Sequence, residues 1–528
     1  MRAYFTAVDL FAGIGGFRTA IERCGGKTIA FSEIDSDAIE AYVLNYTEGI
    51  TSNLGDITKI KQLPEHDLLA AGVPCQSWSI AGKNLGFDDD RGQLWNDALF
   101  LLNKSRPKAF IFENVKGLAD PRNKDALDYI MKRIKEAGYF ANYHVLDSFD
   151  YGVPQSRVRI YIVGFREPRF NNAFFFPAKV GFCVKLKDIM DDEIIYINNK
   201  RCTESDLFNV VFAPSSGVTS LSSNNNGFND YFLFNDLRNG QTTIHSWDII
   251  DTTERQKEIC LLLLRNRRKK EFGPLDGNPL SLEQLQLLDE SIAEGELEEL
   301  VSIGILKQEK YAFFVVKESD DTLTEFERLV MERHIGNIII PDELVCDYEM
   351  KINRINIYEI LQDLEKKGFV RCVESRYEFR QTKISTGLFG INRIFLPSSN
   401  IFPTLVASDS NDYITPVSIV AINADEYKND FIKYVLAKKH YRKISKTKAL
   451  RIQGFPENFK LPDLRSRWMK LLGNSVAVPV VEALICAIIK TGVFGESNNI
   501  SLPYSPIAVQ KQNFDQISLF DFENMKLE

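Results

Sequence analysis

At 528 residues the chain is too long for a single hydrophobic core, so two or three domains are expected. A composition of 44% hydrophobic and 26% charged residues excludes collagen-like, disordered and low-complexity classes. The net charge of -8, with a pI near 5.5, weighs against nucleic acid as a partner of the surface as a whole but leaves room for a local basic groove.

No run of about 18 apolar residues occurs, and Met1-Arg2-Ala3-Tyr4-Phe5 leads straight into a strand pattern; a cytoplasmic chain without membrane contact is expected. The eight cysteines show no CxxC pair, which fits reduced thiols, and none of the five histidines lies within HxxxH reach of another, so no metal site is expected.

Residues 6–11 read as a short buried strand, Ala12-Gly13-Ile14-Gly15-Gly16 as a turn and 17–24 as a helix. That is the first half of a nucleotide-binding βαβ unit. It departs from G-x-G-x-x-G, so no pyrophosphate is required, and a glycine turn alone serves equally as a tight connection. Residues 27–32 form a second strand ending in Glu33-Ile34-Asp35, about 20 residues after the glycines, where a carboxylate typically holds ribose hydroxyls. A helix at 39–45 precedes Gly55-Asp56-Ile57, which reads as the end of a third strand. Asp56 there could accept from an adenine amino group; acids merely exposed at strand ends are the plainer alternative.

The apolar run 67–71 reads as a buried parallel strand leading into Gly72-Val73-Pro74-Cys75-Gln76-Ser77-Trp78-Ser79. Proline cannot donate to a ladder and biases Val73 away from helix, so the strand stops there. Cys75 then sits at a strand's carboxyl end, where open α/β sheets place their chemistry. A lone cysteine is more often an inert core hydrophobe, so its neighbours decide. Residues 81–90 lack apolar periodicity and read as a loop, with a helix from 91 to 103. A strand at 108–112 ends in Glu113-Asn114-Val115 and puts a carboxylate in the same row as Cys75. A helix at 124–137 and a strand at 143–147 lead to the segment 151–164, where Arg157 and Arg159 share one face of a strand by the two-residue period. Paired guanidiniums suit a phosphate or a pyrimidine carbonyl, although exposed-strand arginines are commonly only solvated.

The residues Asp9-Leu10-Phe11-Ala12-Gly13-x-Gly15-Gly16, Pro74-Cys75-Gln76, Glu113-Asn114-Val115 and Gln155-x-Arg157-x-Arg159 carry a resemblance. Two later stretches extend it: Arg451-Ile452-Gln453-Gly454-Phe455-Pro456 and Gly473-Asn474-Ser475-Val476-Ala477-Val478-Pro479. In this order they resemble the DNA (cytosine-5) methyltransferase family of bacterial and phage restriction–modification systems, over roughly residues 4–165 and 400–490. Two departures stand out. Ala81 replaces a common serine, and Lys448 stands where an acid often precedes the Arg-x-Gln-Gly-Phe-Pro motif.

The resemblance implies an α/β fold: a doubly wound, Rossmann-like methyltransferase sheet with a large inserted target-recognition domain of mixed α+β structure. The catalytic core is expected at 1–170 and 401–494, the insert at 171–400 and a flexible tail at 495–528. The implied reaction moves a methyl group from S-adenosylmethionine to C5 of a flipped-out cytosine in a specific duplex DNA sequence, protecting host DNA from a cognate nuclease. Cys75 would attack C6 as a thiolate and make C5 nucleophilic. Glu113 would hold a proton at N3 and the exocyclic amine, Arg159 would bind O2, and Arg157 the flanking backbone or the loop; either arginine would raise the thiolate fraction of Cys75.

By the same resemblance the cofactor's methionine part meets Phe11, Gly13, Gly15, Asn474 and Ser475, its ribose Glu33, and its adenine Ile34, Asp56 and Pro74, with Asp9 and Leu94 completing the pocket. Gln76, Ser79, Lys83 and Arg91 fall to the DNA side, in a lid over 76–90. Two rivals remain: an RNA (tRNA) cytosine-5 methyltransferase, against which the long insert speaks, and a non-catalytic DNA-binding protein on the same fold, against which Cys75, Glu113 and the arginine pair speak.

Within the insert, Asp251-Thr252-Thr253-Glu254 caps a helix running to 264. The basic run 265–270 could line phosphates or be a solvated helix end. The stretch from Leu297 to Phe313 resembles that from Leu361 to Phe379, each reading as an amphipathic helix, a glycine stop and a β-hairpin, the tail of a winged-helix unit. Such units suit DNA reading, and dimerisation as well. Gly387 to Ser408 resembles the family's return into the catalytic core. In the tail, Gln516-Ile517-Ser518-Leu519-Phe520 is similar to the peptide by which bacterial proteins grip the replication sliding clamp.

Overall fold

The computed structural model describes residues 4–46, 49–74, 90–197, 229–273, 277–332, 357–421 and 423–495. Two compact units result, one from residues 1–231 with 394–528 and one from 232–393.

The first unit is built on a six-stranded sheet. Its strands are β1 (Thr6–Leu10), β2 (Lys27–Ser32), β3 (Leu68–Gly72), β4 (Ala109–Val115), β5 (Phe140–Asp147) and β6 (Val158–Phe165), in the order β2-β1-β3-β4-β6-β5. β1 pairs in parallel with β2 and β3, and β3 with β4, whereas β6 runs antiparallel to both β4 and β5. The chain leaves β1 in one direction to β2 and resumes on the other side at β3. This reversal opens a crevice at the strands' carboxyl ends, the usual ligand site of open α/β sheets.

The helices that cover the sheet include α1 (Gly16–Arg23), α2 (Ser36–Asn45), α3 (Asp90–Ser105) and α4 (Lys124–Glu136). Val8, Leu10, Leu69, Phe110 and Phe112 pack with Trp95 and Leu99 of α3 and Ile130 and Ile134 of α4. Each such burial is worth about 1.5–3 kcal/mol. The helix Val478–Lys490 lies against α1, with Arg23 Nη1 2.7 Å from Glu482 Oε1 and the sulfurs of Cys24 and Cys486 3.8 Å apart. Contact is so close that a Cβ on Gly16 would fall 2.7 Å from Val476 Cγ2. By length and composition Arg465–Lys490 could cross a bilayer, yet 78% of its most apolar window is buried, as in a core helix.

The described residues 171–197 and 229–231 group with this first unit, and the insert was expected to begin at 171. Leu186 and Lys187 donate backbone N–H groups to the carbonyls of Ser399 and Pro397, and Ile195–Ile197 pairs in parallel with Val417–Ile419. Gly55-Asp56-Ile57 does not close a strand: Asp56 caps the short 3-10 turn Ile57–Lys59, accepting from the Thr58 N–H at 3.0 Å. An Asx cap competes well with strand for such residues.

In the second unit the helix Glu254–Asn266 begins at Thr253, whose hydroxyl accepts from the Gln256 N–H. The two similar stretches take the shapes helix Glu294–Ser302 with strand Leu306–Val315, and helix Ile357–Lys366 with strand Val370–Phe379. Gly304 (φ +86°) and Gly368 (φ +77°) stop the helices in the left-handed region that favours glycine. Neither described strand folds back on its own repeat. The two pair with each other, antiparallel, from Leu306 opposite Phe379 to Val315 opposite Val370. Leu297 and Leu300 bury against one end of this shared ribbon and Leu361 and Leu364 against the other. A ten-residue strand with apolar residues at both ends serves both cores at once, so the repeats form one structure in place of two winged units.

Leu364→Ala should therefore cost about 2–5 kcal/mol in urea unfolding. Gly368→Ala, which meets no neighbour within 4 Å, should cost only the backbone strain of its positive φ, about 1–2 kcal/mol. Equal losses at the two positions would refute this account of the ribbon.

Candidate functional site

The crevice between β1 and β3 is shaped by the turn that follows β1. Phe11 (φ +54°), Gly13 (φ +56°) and Gly15 (φ +89°) all adopt left-handed backbone, and Phe11 does so at a cost that glycine would avoid. Glu33, just past β2, binds this turn: its Oε2 accepts from the Gly13 N–H at 2.8 Å and its Oε1 from the N–H groups of Ile34 and Asp35, also at 2.8 Å. Asn53 fixes the backbone of Glu33, accepting from its N–H and donating to its carbonyl. Nothing lies within 4 Å of a Cβ placed on Gly13, and the adjacent Ile34 side chain is 72% exposed. An open glycine cradle, a carboxylate on its rim and a bare aliphatic face fit the polar hydroxyls and flat purine of an adenosyl group.

The turn is braced from behind. Gly15 O accepts from Thr19 Oγ1 at 2.9 Å and from Tyr46 Oη at 3.1 Å, and the Arg18 guanidinium stacks 4.1 Å over the Tyr46 ring. Asp9, expected in the cofactor pocket, is wholly buried in β1 and presents no surface to a ligand. Burial, and then the negative charge of Glu33, push its carboxyl well above the usual range, with Arg18 opposing. Asp9 thus lies beneath the cradle.

Asp56 is held by its own turn: hydrogen bonds from Thr58 and then the nearby Lys59 keep its carboxyl below the usual range. Pro74 is half-buried, as is Leu94 of α3, which packs on the sheet core.

At the next strand ends a second group forms. Glu113 in β4 stands opposite Gly72 of β3 and Tyr161 of β6, and Arg159 of β6 opposite Val115. Arg159 Nε lies 3.1 Å from Glu113 Oε1, both side chains mostly buried. Burial pushes the Glu113 carboxyl up, and Arg159 and then Arg157 pull against it. A Cβ on Gly72 would sit 3.9 Å from Glu113 Oε2, so β3 ends beside this carboxyl. Asn114, 1% exposed, donates from Nδ2 to the Val73 carbonyl at 3.2 Å and pins the approach to Pro74. Cys75, Gln76, Ser79 and Lys83 lie outside the described residues, as does the side chain of Arg91.

Arg157 does not join Arg159 at the carboxyl. It precedes β6, is 3% exposed, and donates to three backbone carbonyls: Leu405 at 3.2 Å, Gly473 at 2.9 Å and Ser475 at 2.6 Å. The expected arginine pair is thereby split, because these carbonyls offer a buried guanidinium the acceptors it requires. Neighbouring Gln155 accepts from the Leu405 N–H and donates to Gln453 Oε1 at 3.2 Å, and Gln453 donates to the Leu472 carbonyl at 2.8 Å. The sequence reading gave these glutamines no role, although both stand inside quoted motifs.

The return segment reaches the cradle through these contacts. Asn474 is exposed, while Ser475 is buried with its Oγ 2.8 Å from where a Cβ on Gly16 would lie. Lys470 pairs with Asp35 at 2.6 Å, and Arg467 with Asp37 at 2.7 Å. The unusual Lys448 is 2% exposed and pairs with Asp192 at 2.5 Å, while the buried Arg451 binds Asp191 at 2.8 Å. Among the described residues no group of three or more His, Cys, Asp or Glu side chains could hold a metal ion.

A family model described as C-5 cytosine-specific DNA methylase matches residues 5–490. The type II methyltransferase M.HgiBI of Herpetosiphon aurantiacus is 41% identical over 482 residues, spanning 91% of this chain and 95% of that protein. The type II methyltransferase M.BanI of Aneurinibacillus aneurinilyticus is 30% identical over 493 residues, 90% of this chain and 94% of that protein. Among solved structures, the Entamoeba histolytica methyltransferase EhMeth covers 93% of this chain and 99% of its own at a TM-score of 0.44 and 13% identity.

Because the folded pKa of Asp9 is raised, the native state holds its proton more tightly than the unfolded chain does. Stability from this residue is therefore full below the ordinary carboxylate pKa of about 3.9 and is lost as pH climbs toward the folded value. In urea titrations from about pH 4 to about pH 8, the difference between wild type and Asp9→Asn should move in the variant's favour. A constant difference would contradict the buried-acid assignment.

Proposed function

The chain belongs to the C-5 cytosine-specific DNA methylase family, and on that premise we propose that it methylates C5 of a cytosine in duplex DNA as the modification half of a type II restriction–modification system. The observation that carries the reading is the Glu113–Arg159 pair, buried beside the end of the strand that delivers Pro74 and Cys75.

A cytosine inside a duplex is stacked and paired, so the target base must leave the helix to meet these groups. The Cys75 thiolate adds to C6, forming the S–C6 bond, and the electrons of the C5=C6 bond become available at C5. Glu113, whose carboxyl burial favours the protonated form, supplies a proton at N3 and accepts from the exocyclic amine. Arg159 already gives Nη1 to the Val158 carbonyl and Nε to Glu113; it orients the carboxyl and turns one of its remaining N–H donors toward the ring's O2. When bound, S-adenosylmethionine would be held at the Gly13 cradle by Glu33, Ile34 and Asn474 and would supply an electrophilic methyl group to C5, leaving as S-adenosylhomocysteine. After transfer a base removes the C5 proton, the S–C6 bond breaks and Cys75 departs as the thiolate.

Sequence reading falls to the 171–400 region, which includes the second unit. A cytoplasmic enzyme working on the nucleoid follows from this substrate. We assign a further partner, the replication sliding clamp, to Gln516–Phe520, which lie outside the described residues. Equal clamp retention by the full chain and by one lacking 514–522 would remove that assignment.

Duplex DNA carrying 5-fluorocytosine at the target should form a covalent adduct with the enzyme when S-adenosylmethionine is present, because fluorine cannot leave as the proton does. Cys75→Ser should form none; absence of adduct with wild type would overturn the reading. Glu113→Gln should lower kcat by about 10²-fold or more. A protonated Glu113 is lost as pH rises through its pKa, so any alkaline limb it sets in the wild-type kcat profile should vanish in that variant.

A further inference from the structure

We propose that Arg157, acting with Gln453, is a positioning residue for cofactor retention and does not touch the cytosine. This rests on the cofactor site proposed above. The Arg157 fork faces carbonyls, and the two of them nearest the cradle, Gly473 and Ser475, flank Asn474. One guanidinium therefore grips the backbone on both sides of an exposed asparagine that the reading sets against the ligand. Ser475 in turn touches α1 where it springs from the glycine turn. A Cβ on Gly473 would fall 2.4 Å from Ala407 N, so this backbone has one way to lie.

Gln453 grips the same segment one residue earlier, at the Leu472 carbonyl, and its own amide oxygen is held by Gln155. To reach a substrate, Arg157 would have to abandon three buried carbonyls together. Arg159, by contrast, is already beside Glu113. The two arginines, two positions apart, thus divide the work: one faces the ring and the other the segment that closes the cofactor site.

Lysine keeps the charge but is a point donor without a fork and cannot serve the three carbonyls in this geometry. In the full-length enzyme, Arg157→Lys should weaken S-adenosylhomocysteine binding by calorimetry roughly tenfold. Exchange of the cytosine C5 hydrogen with solvent, run without cofactor, reads thiol addition and proton transfer at C5 without methyl transfer, and should stay within about twofold of wild type. Arg159→Lys should do the opposite. Gln453→Met tests the same grip with Arg157 intact and takes its place if Arg157→Lys fails to fold. Unchanged S-adenosylhomocysteine affinity with lost C5 exchange would overturn the proposal and return Arg157 to the ring. A wild type that methylates DNA but binds no S-adenosylhomocysteine would refute the cofactor site itself, a failure distinct from the first.

Discussion

A parallel sheet brings only the carboxyl ends of its strands to the edge where ligands bind, so a residue at the start of a strand reaches that edge only if the strand runs the other way. β6 does so. Its antiparallel pairing with β4 sets Arg159 opposite Val115, two residue pairs beyond Tyr161 opposite Glu113, and so puts a guanidinium next to a carboxyl at the sheet's working edge. Were β6 parallel, Arg159 would lie at the far edge and Glu113 would be buried without its nearest positive charge. The direction of a single strand thus decides whether the carboxyl can be sheltered and still be balanced.

The same rule, that buried charge must be matched, organises the return of the chain. Arg157 is matched by carbonyls, Lys448 by Asp192 and Arg451 by Asp191. In each case the partners are more than 200 positions apart in sequence, and each tie joins residues 400–475 to the part of the same unit that precedes residue 198. Removing one partner of such a tie is costlier than the tie is stabilising, because the remaining charge stays buried. Specific ties, in addition to apolar burial, hold the N-terminal and returning parts of the first unit together.

Much of this edge was legible in the sequence. The glycine turn, the acid after β2 and the proline ahead of Cys75 are local signals, and Glu113 ends an apolar run that could only be a strand. What periodicity reports is a face, not a partner. Arg157 and Arg159 share a face by count, yet what separates them is a set of carbonyls 248 to 318 residues downstream. Lys448 looked like a departure until Asp192 supplied its counter-charge. Asp56 was misplaced because an Asx cap and a strand end use the same residues, and the two similar stretches concealed their mutual pairing because a hairpin and a shared ribbon have identical local patterns. Asp9 was read as a ligand contact from its place in a motif, whereas its carboxyl is fully buried in β1.

The packing of α1 against Val478–Lys490 has a temporal side. At a synthesis rate of about 5–20 residues per second, the ribosome needs tens of seconds to pass from one helix to the other. Throughout that interval the face of α1 that will meet Val476 and Cys486 has no cover, and Ser475 has not yet arrived over the glycine turn. A nascent or prematurely terminated chain can therefore carry Glu113, Arg159 and the complete sheet and still lack the part that closes the cofactor side. The cofactor side can close only after residues 475–490 have been made, more than 450 positions after α1.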